Sequence, residues 1–461
     1  MSSAPRSDGA LVWPAGLELI GADAPIPLVT GETVRGVDLD RAATTPCLEV
    51  VKAAVDALLP YYGAPSRGAS FKARVTTESY ERARAAVARF VGARPSDVVC
   101  FVRNTTEACN LLAHLVEGVT DVVCFELEHH ADLLPWRRIG ATVLPTPGHP
   151  AELIEQLSRV IAAPRSRPLL VALTGVSNVT GELLPLDDIA ATIATSGDAR
   201  LFVDAAQLAP HRAIDMAASG IDYLALSGHK LYAPFGAGAL IGARDWLERK
   251  DPPLLGGGAV VLVTDDDVVF KGAPDRLEAG TPNVVGAVAL GTACDALAAV
   301  GMAALERLES ELTRALDARL AAVPRLTRHT LWKGEADHVG VACFNLEGCH
   351  HGHVAAALSC EHGIGVRHGC FCAHLLVRDL LGISAAESRQ AAATLRSGGA
   401  VELPGAVRAS IGIGTTIADL DRLQDALVEL TSKGARWRYE QREPGGEFVP
   451  TPDPRPNPLL A

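Results

Sequence analysis

Between residues 97 and 243 the chain repeats one pattern, a short unbroken apolar run followed by a helical stretch. The runs are DVVCFV (97–102), DVVCFEL (121–127), ATVLP (141–145), PLLVALTG (168–175), ARLFVDA (199–205), IDYLALS (221–227) and GAGALIGA (236–243). Helical spacing fits 105–116, the stretch around Trp136, 151–162 and 186–195. Strands with one wet face alternate apolar and polar residues, and these runs do not. They predict strands buried on both faces, in a parallel sheet covered by helices. Ligands of such sheets bind beyond the carboxyl ends of the strands. The residues that follow each run are therefore the first candidates for chemistry.

After about residue 285 the texture changes. An Ala/Leu-rich helix fits GAVALGTACDALAAVG, a second fits 302–321, and HVGVACFNL (338–346) reads as a strand. HVAAALSCEHG reads as a helix, GIGVRHG (363–369) and VRASIGIG (407–414) as strands, and 419–433 as the terminal helix. Residues 1–37 form a lead-in with a turn at Thr30-Gly31-Glu32, and residues 301–435 a smaller α+β domain. The Pro- and Gly-rich tail 436–461 is expected to be extended or disordered. No repeat of solenoid period is present.

With 42 Lys and Arg against 54 Asp and Glu, the net charge of −12 gives no bulk attraction for phosphate backbones or anionic lipid. Nucleic-acid and membrane partners are not expected. No apolar run reaches membrane-spanning length, and Pro14 and Glu18 interrupt any secretory pattern at the start. Ten cysteines are too few for a disulfide scaffold, so thiols in a reducing cytoplasm are expected.

LSGHKLYAPFGAG (226–238) is the most informative stretch. A lysine leaving a buried strand, as Lys230 does, loses hydration, and its amine becomes nucleophilic enough to form a Schiff base with an aldehyde cofactor. A lysine pointing to solvent fits this segment equally well. In VDAAQLAPH (203–211), Asp204 ends a strand, where a carboxylate can pair with a protonated pyridine nitrogen and Gln207 can reach a ring hydroxyl. A helix-capping Asp204 would explain that residue but not the Ser-Gly-His-Lys that ends the next run. In RNTTEACNLLAHLV, Asn104 and Glu107 have the spacing of a capping box, and Thr105 and Thr106 fall where a helix start favours phosphate. His129 and His130 follow the run at 121–127; His129 can stack on a ring and handle protons. Adjacent histidines diverge and no third ligand is suitably spaced, so no metal is expected. CHHGH (349–353) reads as a polar turn before a helix.

VDLDRAATTP, the SRG at 66–68, VRNTTEACNLLA, ELEHHADLLPW, TGVSNVTGELLPL, VDAAQLAPH, SGHKLYAPFGAGAL, LEAGTPN, GVRHGCFCA and VRASIGIG occur in this order over residues 38–432. Together they resemble the class V aminotransferases, pyridoxal-phosphate enzymes, and among them the SUF-type cysteine desulfurases and selenocysteine lyases. The resemblance implies the α/β fold type I of pyridoxal-phosphate transferases: a large cofactor domain at 38–300, with a mostly parallel sheet between helices, and the smaller domain after it. It implies that Lys230 carries the cofactor, His129 stacks on it, Asp204 pairs with its ring nitrogen and Gln207 with its hydroxyl. Thr105, Thr106, Ser227 and His229 would hold its phosphate, and Asn178 would lie near ring and substrate. Thr281 would reach the phosphate in the other subunit of a homodimer with shared sites. Arg408 would grip the substrate carboxylate, a task suited to a planar guanidinium.

Cys372 matches the nucleophilic cysteine of the desulfurases, with Arg367 and His368 as neighbours that favour a thiolate. In an extended segment Cys370 would face the same side as Cys372, which allows a relay or a packing role. The implied reaction converts L-cysteine to L-alanine with persulfide on Cys372, for passage to a sulfur-acceptor protein. The alternative is another reaction of the class (transamination, β-elimination of a C–S bond, or epimerisation) on a different amino acid. A non-enzymatic scaffold fits poorly, because Lys230, Asp204, His129 and Arg408 are all present. Departures from the SUF pattern are Ser66, the Cys370-Phe371 pair, His374-Leu375 and an insertion over 384–405. The Gly-Cys-Phe-Cys string also resembles the desulfurase-like domain of molybdenum cofactor sulfurases.

Overall fold

The seven apolar runs form seven strands of one sheet: β1 Asp97–Val102, β2 Asp121–Phe125, β3 Thr142–Leu144, β4 Leu169–Thr174, β5 Ala199–Asp204, β6 Tyr223–Ser227 and β7 Gly238–Ala243. They are seen in a computed structural model that describes residues 12–65, 68–332, 336–442 and 446–457. Ser66 and Arg67 lie outside the described residues. The order across the sheet is β1-β7-β6-β5-β4-β2-β3. Only β7 opposes the rest, antiparallel to both β6 and β1. The link 228–237 is too short for the dozen or more residues of a crossover, so the chain has to turn back on itself.

Alternate residues enter opposite apolar layers, as unbroken runs require. On β5, Leu201 and Val203 join one layer and Phe202 the other; on β6, Leu224 and Leu226 oppose Tyr223 and Ala225. Each fully buried side chain of this size contributes about 1.5–3 kcal/mol. Register then fixes the ligand edge. Thr174 lies beside Asp204, Asp204 beside Ala225, and Ser227 and Val102 flank Gly238. A Cβ on Gly238 would stand 2.5 Å from the Leu226 carbonyl oxygen and 2.8 Å from the Asn104 Cα. Glycine alone lets β7 pass this close beneath the start of α1, Thr105–Val116.

A second, antiparallel sheet has the order β8-β9-β11-β10, with β8 Leu326–His329, β9 Val341–Leu346, β10 Arg367–Gly369 and β11 Ala406–Ser410. The run at 363–369 divides: Ile364–Gly365 pairs in parallel with Val37–Asp38, and Arg367–Gly369 joins β11. The lead-in also departs from expectation, since Pro25–Pro27 and Thr33–Arg35 form a hairpin around the anticipated turn.

The tail is docked rather than loose. Tyr439–Gln441 and Phe448–Pro450 form a hairpin against the helix His351–His362. The buried Glu361 carboxylate supplies the anchor, accepting from the Arg436 and Trp437 backbone N–H groups at 2.9 and 3.0 Å and from the Tyr439 hydroxyl at 3.0 Å. The insertion contains a helix, Ala385–Arg396, started by a Ser384/Glu387 capping box and burying none of its residues. The chain then returns to the cavity described next. Among the described residues no single helix is long and apolar enough to cross a membrane.

Candidate active site

The carboxyl edge of the large sheet and the small sheet enclose a cavity of about 600 Å³. Lys230 enters it from the turn after β6, and burial lowers its pKa to about 8, with Asp204 opposing and Arg408 assisting. Asp204 enters from the end of β5; its Oδ1 accepts from the Ala206 N–H at 2.8 Å. Burial raises its pKa, and Lys230 pulls the other way. Gln207 borders the cavity with its Nε2 donating to the Ala42 carbonyl at 2.6 Å. His129, the N-cap of α2 (His130–Arg138), accepts through Nδ1 from the Ala131 N–H at 3.0 Å. Burial and then Lys230 push it down to about 3, so it is neutral at physiological pH.

Thr105, Thr106, Ser227 and His229 gather on one wall. The Ser227 Oγ takes the Thr105 N–H and meets the Thr105 Oγ1, both at 2.8 Å. These contacts bind the start of α1 to the end of β6, with the free N–H end of the helix facing the cavity. His229 is lowered to about 4 by burial and Lys230. Its carbonyl accepts from the Thr45 N–H at 2.8 Å, tying VDLDRAATTP to the lysine turn.

Arg408 and Arg367 stand opposite one another on β11 and β10. Like charges side by side repel, and Asp40 offsets this: its Oδ2 takes Arg367 Nη2 at 2.8 Å and its Oδ1 takes Arg408 Nη2 at 3.2 Å. Arg408 Nη1 donates to the Asn178 carbonyl at 2.8 Å, while its Nε is buried and unpaired.

Cys370 and Cys372 border the same cavity, on a segment that is not extended as expected. Phe371 and Cys372 have φ of +53° and +55°, and the Ala373 N–H closes a turn onto the Cys370 carbonyl at 2.9 Å. Non-glycine residues avoid this region at a cost of about 1 kcal/mol or more each, so the turn needs outside support. Asn178 Nδ2 holds the Phe371 carbonyl at 2.8 Å and the His130 N–H holds the Cys372 carbonyl at 2.7 Å. His130 Nε2 also accepts from the His374 N–H at 3.2 Å, and the two imidazoles stack. The alternation argument for same-side thiols therefore does not apply.

Thr281 is exposed and is not part of this wall. Sequence reasoning missed Asp40, although its motif was quoted, because its partners are more than 300 residues away. It also missed that His351, Leu403 and Pro404 join His368 in one wall of the cavity. His351 Nδ1 meets His368 Nδ1 at 3.2 Å, and His350 pairs with Glu402 at 2.7 Å, latching the insertion to the cavity rim.

The model of the family "aminotransferase class-V" matches residues 37–423. The chain belongs to the class-V aminotransferase family. This is a family of pyridoxal-phosphate enzymes, and the present member has its α/β architecture. It is 35% identical over 356 residues to a probable cysteine desulfurase of Halalkalibacterium halodurans, covering 74% of this chain and 85% of that one. It is 34% identical over 372 residues to a cysteine desulfurase of Salmonella newport, covering 77% and 89%. Among solved structures, the cysteine desulfurase of Thermococcus onnurineus NA1 gives a TM-score of 0.74 at 29% identity, covering 86% of this chain and 94% of that one. The cysteine desulfurase CsdA of Escherichia coli gives 0.71 at 31% identity, covering 86% and 95%.

Proposed function

We propose that this class-V enzyme is a pyridoxal-phosphate-dependent cysteine desulfurase that converts L-cysteine to L-alanine and retains the sulfur as a persulfide on Cys372. The observation that carries the reading is Cys372 on a braced turn in the cavity that also holds Lys230 and Asp204. The residues fit the cofactor: a buried amine with a lowered pKa, a carboxylate at a strand end, and a helix start lined with hydroxyls. Lys230 would hold it covalently, Asp204 and Gln207 would meet its ring, His129 would cover a face, and Thr105, Thr106, Ser227 and His229 would take its phosphate. When bound, it supplies an electron sink for the substrate carbon.

The chain's own groups do the rest. Arg408 and Asn178 orient the substrate carboxylate, and Arg367 and Cys370 border its far end. Lys230, near pKa 8, takes the Cα proton. The Cys372 thiolate attacks the substrate sulfur; an S–S bond forms, the C–S bond breaks toward carbon, and protonation completes alanine. His129, neutral, is suited to move that proton. Cys372 is exposed, which leaves a persulfide open to an acceptor protein.

A homodimer is part of the proposal. The hairpin Val260–Val263 with Val268–Phe270 exposes Val261, Leu262 and Val263, and Gly257 accepts from the Gly280 N–H beside Thr281. Thr281 and an apolar face thus adjoin, as a residue serving a second subunit would require. The division at residues 300 and 435 and a cytoplasmic location, supported by ten free thiols, belong to the same reading. One observation favours a different amino-acid substrate: Leu403 and Pro404, two apolar residues of the insertion, line the cavity.

Product analysis decides. Cofactor-loaded protein with L-cysteine and a thiol reductant should give equal alanine and sulfide, lost in Cys372→Ala. Pyruvate with ammonia would instead establish β-elimination.

A further inference from the structure

Two more carboxyl groups lie beside Asp204 without bordering the cavity. Glu128 follows β2 and Asp132 sits in the first turn of α2, and both side chains are fully buried. One oxygen of each is engaged. Glu128 Oε2 accepts from the Thr174 N–H at 2.8 Å. Asp132 Oδ1 accepts from the Trp136 indole N–H at 2.7 Å and from the Cys109 thiol at 3.7 Å. Glu128 Oε1 and Asp132 Oδ2 are both buried without a hydrogen-bond partner, and the two side chains lie within hydrogen-bonding reach of each other.

Ionised carboxylates only accept, so a bond between two of them requires a proton. Donor number decides where it resides. Asp132 already receives two donors, one a strong indole N–H, and is the better-stabilised anion. Glu128 receives one backbone N–H and keeps the proton, donating it to Asp132.

We propose that Glu128 and Asp132 form a proton-sharing pair carrying a single buried negative charge behind Asp204, and that this charge, acting through Asp204, sets the electrostatics at the cofactor ring. Both are positioning residues. The proposal rests on the functional reading above for the ring, but not for the pair. Burial raises all three acids, and Asp204 is the next contributor to Asp132. The other titratable groups facing the cluster are Cys109 on α1, Cys124 on β2 and Lys230, which faces Asp204. Of the cations, Lys230 faces Asp204 from the cavity side, and Arg137, on the exposed side of α2, acts on Cys124.

The test uses isosteric variants of the full chain. In Glu128→Gln the new amide donates to Asp132 and the charge stays, but the acid proton is gone. In the double variant Glu128→Gln/Asp132→Asn an amide pair replaces the acids and the charge is removed. The infrared spectrum of cofactor-free protein at neutral pH should show an un-ionised carboxyl stretch that Glu128→Gln abolishes. In cofactor-loaded protein, the pH midpoint of the visible absorbance should be unchanged in Glu128→Gln. It should fall by roughly one unit in the double variant, since loss of a nearby buried anion destabilises a protonated ring system. Asp132→Leu alone, which offers Glu128 no new donor, should keep the infrared band and show the same fall should the double variant fold poorly.

The same infrared spectrum in wild type and Glu128→Gln would overturn the shared proton. Wild-type midpoints in both charge-removing variants would overturn the influence on the ring; a pair that only filled space would give that result. Failure to take up cofactor at all would count against the functional reading, while the infrared comparison would still judge the pair.

Discussion

Lys230 offers a direct test of how far the cavity excludes water. An ordinary lysine titrates near pH 10.4, and burial brings Lys230 to about 8. At pH 7 the neutral fraction rises from about 0.04% to about 9%, a gain of roughly 230-fold in reactive amine. Cofactor-free protein treated with formaldehyde and a borohydride reductant over a pH series, with the Lys230 peptide followed by mass spectrometry, should give a reactivity midpoint near 8. A free lysine peptide serves as reference. Asp204 opposes the shift, so Asp204→Asn should move the midpoint further toward acid. Because folding lowers this pKa, the cofactor-free protein should gain stability as pH rises from about 8 to about 10.4 and should lose that gain below. A midpoint close to 10 would refute the argument, because it would mean that bulk water reaches the amine.

Four further outcomes follow from contacts within the site and elsewhere in the fold. Asp40→Ala leaves two opposed guanidinium groups unpaired, one of them fully buried, and should lower stability by about 3 kcal/mol in urea denaturation; an unchanged midpoint would show that the pair repels little. Glu278→Ala strips a nearly buried carboxylate from Arg84 at 2.8 Å, Tyr80 at 2.8 Å and the Phe101 N–H at 2.7 Å, and should cost about 3–5 kcal/mol by the same assay. Gly238→Ala should push the start of α1 away from Ser227 and weaken cofactor retention at least about tenfold in a dialysis assay, as loss of two charge-assisted contacts would. Cys372→Ala should keep the cofactor's visible spectrum while alanine formation from cysteine falls at least about a hundredfold; retained turnover would assign the sulfur step elsewhere.

What could be read in advance was what repeats or what stands alone. Seven apolar runs announced a sheet covered on both faces, and Asp204 and Lys230 were legible because each follows such a run. The reversal of β7 needed a count of the link before it. The hairpins at 25–35 and 439–450 were hidden because their strands are three residues long, below any periodicity, and one is anchored by a single distant carboxylate, Glu361. Asp40, Glu128 and Asp132 look ordinary in sequence; only the fold shows that Asp40 faces two arginines and that Glu128 and Asp132 meet in the interior. The Cys370-to-Cys372 geometry was misjudged because alternation holds for strands, and a turn had taken the strand's place.

That turn has a mechanical consequence. Phe371 and Cys372 hold an unfavourable backbone, and their carbonyls are gripped from separate parts of the chain, by Asn178 on one side and His130 on the other. Releasing the thiol would break both grips together, so the segment does not behave as a tether. On the proposed function, a persulfide on Cys372 would stay within the reach of its own side chain, and the distance to a recipient would be closed by the recipient's approach.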